Sequence, residues 1–231
     1  MMNSIAPIMG ILAVFALAIL LFRLLSGQRY ANHKERLVLK SLCSFIFWLF
    51  SWIMLWYTNT DIVPFTVFML VGFTLSVLGD VFLVYDSDKS FILGLFSFLL
   101  AHVAYSISFV MRYGLNTVGI IAFVIIGLIG FAVINFSGLF VLGNKRLLAN
   151  IYLFIISFML ANAVGGLFSF EAGLFSALLT ALGALLFFIS DLILAYGKFR
   201  TKQGMGLEKP VLLTYYSAQI ILALGMMTFL I

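Results

Sequence analysis

The sequence predicts an all-α fold, a polytopic bundle of helices that crosses a lipid bilayer. Hydrophobic residues make up 65% of the 231 positions, charged residues make up only 9%, and the mean hydropathy is +1.23. This composition lies far outside the range of water-soluble globular proteins. The apolar residues also fall into runs of about 20, the length that a helix needs to cross a hydrocarbon core of roughly 30 Å. A soluble protein is therefore excluded.

Eight apolar runs lie along the chain, and we expect each of them to form one membrane-spanning helix. The polar breaks between them are too short to separate two domains, which predicts a single integral membrane domain over residues 1–231. Tight breaks also make consecutive helices antiparallel neighbours. The predicted spans are 5–25, 37–57, 62–85, 90–110, 118–142, 147–170, 172–196 and 211–231.

The positions of Lys and Arg predict the orientation of these spans. If the N-terminus is outside, the outer loops hold only Arg112, and the inner loops hold the other basic residues. By the positive-inside rule, both termini are then non-cytoplasmic. The net charge of +5 thus reflects membrane orientation, not nucleic-acid binding. We expect a multi-pass protein of a bacterial inner membrane, although an endoplasmic-reticulum protein would show a similar pattern. The inner basic residues are Arg23, Arg29, Lys34, Arg36, Lys40, Lys89, Lys145, Arg146, Lys198, Arg200, Lys202 and Lys209.

Two segments, LGDVFLVY at 78–85 and ISDLILAY at 189–196, are similar and carry an aspartate at the same position. Asp80 and Asp191 fall near the inner ends of the third and seventh runs, roughly 10 Å inside the apolar zone. An ionised carboxylate at the centre of a membrane helix costs about 2.5 to 3.5 kcal/mol on insertion scales. Each aspartate could simply cap a helix end or extend toward a surface lysine. Because two occur at one depth, we favour a functional pair.

The fourth run places four candidate residues on one face of a helix. Gly94, Phe98, His102 and Tyr105 follow one another at i, i+4, i+8 and i+11, which aligns them on one side of a helix. His102 then lies near the middle of the bilayer, where it is either a site residue or a hydrogen-bonding strut. Further polar candidates are Lys40 at the start of the second run, Ser190 beside Asp191, and Tyr216 and Gln219 in the eighth run.

Familiar catalytic motifs are missing from the sequence. It contains no GxSxG elbow, Walker loop or HExxH helix. With two histidines and one cysteine, we expect no dedicated zinc site, and we assign no metal ligand or cofactor to the candidate residues. The predicted chemistry therefore depends on the carboxylates.

These residues together resemble the YhhN-type lysoplasmalogenase family of membrane proteins. The resemblance runs in order through the third to eighth runs. It is carried by Gly79-Asp80, Leu83, Phe91, Gly94-Leu95, Phe98, His102, Tyr105, Gly183-Ala184, Phe187, Ser190-Asp191, Ala195, Tyr216 and Ala218-Gln219.

The resemblance implies hydrolysis of the vinyl-ether bond of a lysoplasmalogen, a single-chain ether phospholipid, to a fatty aldehyde and a glycerophospho-base. A vinyl ether breaks when its outer alkene carbon is protonated and water captures the resulting oxocarbenium ion. Such a site needs one protonated acid and one negative charge nearby, as in glycosidases. Asp80 and Asp191 are the predicted pair. His102, Tyr105 and Ser190 would orient reacting groups, while Tyr216, Gln219 and Lys40 would bind the substrate.

Two other classes of function fit the same residues. A proton-coupled transporter would use both aspartates as carriers and His102 as a relay. A scaffold or lipid-binding protein without chemistry would need neither acid. Release of aldehyde from a lysoplasmalogen distinguishes the hydrolase from both alternatives. The oligomeric state is open.

Overall fold

The computed structural model describes residues 5–26, 33–57, 63–85, 87–169, 173–200 and 207–227. In these residues the regular structure is helical, which confirms the all-α prediction. The helices are α1 (Ile5–Ser26), α2 (His33–Tyr57), α3 (Pro64–Phe82), α4 (Asp88–Tyr113), α5 (Thr117–Phe136), α6 (Arg146–Gly166), α7 (Leu174–Phe199) and α8 (Glu208–Met227). A short 3₁₀ turn, Gly143–Lys145, precedes α6.

Seven of these helices, α1 to α7, are long and apolar enough to cross a membrane. The eighth predicted span corresponds to α8, which is not among the seven. It nevertheless lies antiparallel to α7 over most of its length. Ser190 Oγ donates to the carbonyl oxygen of Val211 at 3.2 Å, and a Cβ added at Gly225 would lie 2.9 Å from Oγ1 of Thr180. The predicted crossing of the membrane by α8 stays a prediction.

Close contact between α3 and α4 depends on glycine. A Cβ at Gly79 would lie 2.6 Å from the ring of Phe98, and one at Gly94 would lie 2.8 Å from the side chain of Leu83. Real Cβ atoms do not approach neighbours this closely, so the two helix backbones can meet only where these side chains are absent. The pairing places the last turn of α3 against the first half of α4.

The basic segments gather at one end of the bundle. Arg36 at the start of α2 forms an ion pair with Glu208 at the start of α8, with 2.5 Å between nitrogen and oxygen. Lys145 lies 3.3 Å from Asp88 at the start of α4. These predicted inner segments therefore lie at one end of the bundle, and the side of the membrane that this end faces stays a prediction. Arg29 and Lys202 lie outside the described residues.

Several predicted span limits were wrong. The run 118–142 was too long, because α5 ends at Phe136 and Gly138 then adopts a left-handed φ of 72°. The run 62–85 also overran, since α3 ends at Phe82, whereas α2 begins earlier than predicted and α7 continues to Phe199. An apolar run ends at the first polar residues, whereas a helix ends where its backbone hydrogen bonds end. The limits of a run and of its helix therefore differ by several residues.

Candidate active site

A cleft between α2, α3, α4, α7 and α8 opens at the basic end of the bundle. It has an empty volume of about 1250 Å³, part of it open to the outside. Asp80 and Asp191 both line it, and each is at least nine-tenths buried. Arg36, Lys198 and Arg200 line it near the helix ends. The structure thus brings the two predicted carboxylates to one cavity with a basic mouth.

The surroundings of Asp80 come mainly from α2 and α8. Ser44 Oγ lies 2.6 Å from Oδ2 of Asp80, and the hydroxyl of Tyr215 also interacts with this carboxylate. Lys40 is buried, lines the same cleft and attracts Asp80 electrostatically. Ser44 is placed by its own helix, since its hydroxyl lies 2.9 Å from the carbonyl oxygen of Lys40 one turn earlier. Asp80 therefore has a hydrogen-bonding hydroxyl and a lysine side chain as neighbours.

Asp191 has a different environment, supplied by α4 and α6. Tyr152 donates its hydroxyl proton to Oδ2 of Asp191 at 2.5 Å, and His102 Nε2 lies 2.8 Å from the same oxygen. His102 Nε2 and the Tyr152 hydroxyl are 3.0 Å apart. The three side chains therefore form a compact triad within the bundle.

The tautomer of His102 follows from its second ring nitrogen. Nδ1 is buried and has no hydrogen-bond partner among the described residues. An unpaired N–H at this position would cost more than an unpaired acceptor nitrogen, so the proton belongs on Nε2. In this tautomer the Nε2–H of His102 donates to Asp191. Two donors, His102 and Tyr152, therefore point at one oxygen of Asp191.

Tyr105 and Gln219 form a separate hydrogen-bonded group deeper in the core. The Tyr105 hydroxyl donates to Oε1 of Gln219 at 3.1 Å and lies 3.5 Å from Oγ of Ser76. Both side chains are completely buried, and neither lines the cleft. The structure therefore places these two residues away from the cleft, where they link α3, α4 and α8, and their predicted contact with substrate or reacting groups stays a prediction.

Tyr216 and Ser190 lie closer to the carboxylates. The Tyr216 hydroxyl is 3.3 Å from both Ser44 Oγ and the carbonyl oxygen of Lys40, so it supports the Asp80 side of the site. Ser190 lines the cleft, and its hydroxyl bonds to the backbone of α8. The substrate-binding role of Tyr216 stays a prediction; the structure places its hydroxyl beside Ser44, the hydrogen-bond partner of Asp80.

Three site residues were missed by sequence reasoning: Ser44, Tyr152 and Tyr215. Ser44 had a weak signal, because it lies one helical turn after Lys40 and falls on the same face. Tyr215 adjoins a tyrosine that was predicted, but its position on α8 gave no reason to prefer it. Tyr152 had no signal, since one tyrosine in an apolar run is commonplace; only the packing of α6 against α4 and α7 brings it to Asp191.

The absence of a metal site stays a prediction. Among the described residues, no group of three or more His, Cys, Asp or Glu side chains is arranged to hold a metal ion. His102 already bonds to Asp191 and Tyr152, and Cys43 is buried within α2.

Comparison with known proteins shows clear similarity. Lysoplasmalogenase TMEM86A of Bos taurus is 32% identical over 159 residues, and lysoplasmalogenase TMEM86A of Homo sapiens is 30% identical over 158 residues. Each match covers 68% of this chain and 64% of the relative, so the chain matches slightly less than two thirds of the length of these proteins. No solved structure matches the chain significantly.

A family model gives broader coverage than these pairwise matches. The model of the YhhN family matches residues 35–226, a range that contains both aspartates and the side chains described above as their partners. This match confirms the resemblance predicted from the sequence. The chain belongs to the YhhN family.

Proposed function

We propose that the protein is a membrane-embedded ether hydrolase that cleaves the vinyl-ether bond of lysoplasmalogens. The products are a fatty aldehyde and a glycerophospho-base. The observation that carries the proposal is the placement of two buried carboxylates on one cleft with a basic mouth. The names of the two relatives support the same reaction. In this proposal the whole chain forms one integral domain of a cell membrane.

The two carboxylates have different roles in this proposal. Asp191 accepts hydrogen bonds from Tyr152 and His102 and acts as the ionised group that stabilises positive charge. Asp80 acts as the acid. Its partner Ser44 also reaches the carbonyl oxygen of Lys40, so Ser44 can donate a hydrogen bond there and accept a hydrogen bond from the protonated carboxyl of Asp80. Both protonation states of Asp80 therefore have hydrogen-bond partners.

The reaction proceeds by proton transfer and addition of water. The carboxylic acid of Asp80 gives its proton to the outer alkene carbon, which forms a C–H bond and leaves an oxocarbenium ion beside the ionised Asp191. Water adds to the cationic carbon and loses one proton to a carboxylate of the site. The bond between the hemiacetal carbon and the glycerol oxygen then breaks. The hemiacetal hydroxyl loses its proton and becomes the aldehyde carbonyl, and the glycerol oxygen takes up one proton. The balance is one vinyl ether plus one water to one aldehyde plus one alcohol.

The depth of the site suits a single-chain phospholipid. Lys198 and Arg200 line the mouth of the cleft, where a phosphate group at the membrane surface can bind, while Lys40 lies deeper beside Asp80. The ether linkage of such a lipid lies several atoms below its phosphate. It therefore reaches the level of the aspartates while the head group stays at the surface.

The alternative is a proton-coupled transporter that uses the paired aspartates as carriers. Alternating access would require a path from the aspartates to the opposite end of the bundle. Tyr105, Phe109 and Gln219 fill that region and are buried. This packing favours the hydrolase over the transporter.

The decisive experiment uses the purified protein in detergent with a 1-alkenyl lysophospholipid. Release of the fatty aldehyde, together with no hydrolysis of the matched saturated 1-alkyl lysophospholipid, is the expected result. The saturated ether has no alkene carbon to protonate. Absence of aldehyde release, or cleavage of both lipids at similar rates, would reject the proposed reaction.

A further inference from the structure

A second cavity, the apolar pocket, lies beside the polar cleft between α4, α5, α6 and α7. Its empty volume is about 750 Å³, part of it open to the surroundings. Its walls include Leu95, Ile134, Ile156 and Phe188. Such a surface suits hydrocarbon and offers little to a polar ligand.

The apolar pocket and the polar cleft share part of their walls. Phe91 of α4, together with Asp191 and Leu194 of α7, lines both cavities. Tyr152, which donates to Asp191, faces the apolar pocket. Asp191 and Tyr152 are thus polar groups at the edge of an otherwise hydrocarbon-like chamber. The carboxylate lies at the boundary between a charged cavity and an apolar one.

We propose that the apolar pocket holds the hydrocarbon chain of the substrate while the polar cleft holds its glycerophosphate part. This inference rests on the proposed function. In a lysoplasmalogen the vinyl ether is the first bond of the chain, so it lies where the polar and apolar parts of the molecule meet. A lipid divided between the two cavities therefore places its reactive carbons beside Asp191. The pocket then selects substrates by chain length.

Narrowing the pocket tests this placement. Ala149 of α6 lines the pocket and is partly buried, so Ala149→Phe inserts a ring into its empty space. Ile156→Phe narrows it at a more buried position on the same helix. Ile151→Phe is the matched control, because Ile151 is on the same helix but is 45% exposed on the outer surface.

The measurement is kcat/KM for a series of 1-alkenyl lysophospholipids that differ only in chain length. We expect Ala149→Phe to lower the ratio of long-chain to short-chain kcat/KM at least about tenfold, the effect of losing two buried methylene groups. The Ile151→Phe control should keep the wild-type ratio. An unchanged ratio in both pocket variants, with hydrolysis intact, would overturn the chain assignment and leave the proposed reaction standing.

A binding experiment separates this inference from the reaction itself. Saturated 1-alkyl lysophospholipids of the same chain lengths are not cleaved, so their dissociation constants can be measured directly with the detergent-solubilised protein. Chain-length dependence that is lost in Ala149→Phe and kept in Ile151→Phe supports the pocket even if no vinyl ether is hydrolysed. Affinity that does not depend on chain length in the wild-type protein would reject it.

Discussion

His102 of α4 and Asp191 of α7 meet in the bundle with 2.8 Å between Nε2 and Oδ2, although 89 positions separate them in the chain. Tyr152 donates to the same oxygen at 2.5 Å. Both bonds fall on Oδ2, and no side chain of the described residues is hydrogen-bonded to Oδ1. His102 acts through Asp191, so His102→Ala should lower kcat less than Asp191→Asn does. Equal losses in the two variants would give His102 a direct role in the reaction.

Replacing either carboxylate should stop most of the reaction. We expect Asp80→Asn and Asp191→Asn each to reduce kcat at least about 100-fold, the scale of lost acid-base catalysis. Asparagine keeps the shape and can still accept a hydrogen bond, so both variants should insert and fold. Aldehyde release from a 1-alkenyl lysophospholipid measures the effect, and elution as a single species in gel filtration checks the fold. Normal turnover in either variant would remove that residue from the mechanism.

Removing the Tyr152 hydroxyl should remove one hydrogen bond to Asp191 and leave the aromatic ring in place. We expect Tyr152→Phe to lower kcat by about 10- to 100-fold, because a hydrogen bond to a charged group contributes about 1.5 to 3 kcal/mol. KM should change little if the hydroxyl serves the carboxylate and not the lipid. Tyr196→Phe is the control, since Tyr196 is 37% exposed and its ring packs on Phe140. A higher KM with unchanged kcat would instead make Tyr152 a substrate-binding residue.

The close contact of α3 and α4 predicts a stability effect next to Asp80. Gly79→Ala places a methyl group 2.6 Å from the ring of Phe98, which is itself packed against Phe187 and Tyr215. Overpacking of this kind costs about 1 to 3 kcal/mol, so thermal unfolding in detergent should occur at a lower temperature. Gly197→Ala is the matched control, because its nearest neighbour would be an ordinary contact at 3.7 Å. Equal thermal stability of the two variants would show that Phe98 moves aside freely.

The orientation of the bundle can be tested with reporter fusions. We expect reporters inserted after Lys34, Lys145 and Lys202 to report the cytoplasm, because these positions belong to the basic end. A reporter at the C-terminus should report the opposite side, since α8 is predicted to be the eighth span. A cytoplasmic C-terminus would contradict both the span count and the predicted position of the termini.

Much of the helical architecture could be predicted, because a helix surrounded by lipid needs a continuous apolar run of about 20 residues. Asp80, Asp191 and His102 could also be found, since polar groups in a membrane span need an explanation. Tyr152 and Ser44 could not be identified from the sequence. Each is an ordinary side chain in its own helix, and its role depends on which helices pack together. For the same reason, sequence spacing grouped Tyr105 with His102 on α4, although only His102 reaches a carboxylate.

The two carboxyl groups of the site should give the reaction a characteristic pH dependence. If one carboxyl group must be protonated and the other ionised, kcat/KM should rise and then fall with increasing pH. The rising limb reflects ionisation of the group that stabilises the cation, and the falling limb reflects loss of the proton from the acid. The two limbs belong to the coupled pair, so neither midpoint is the property of one residue alone. The residual activity of Asp80→Asn should lose the falling limb, and that of Asp191→Asn should lose the rising limb. A flat wild-type profile between about pH 4 and 9 would exclude an acid and a carboxylate acting together.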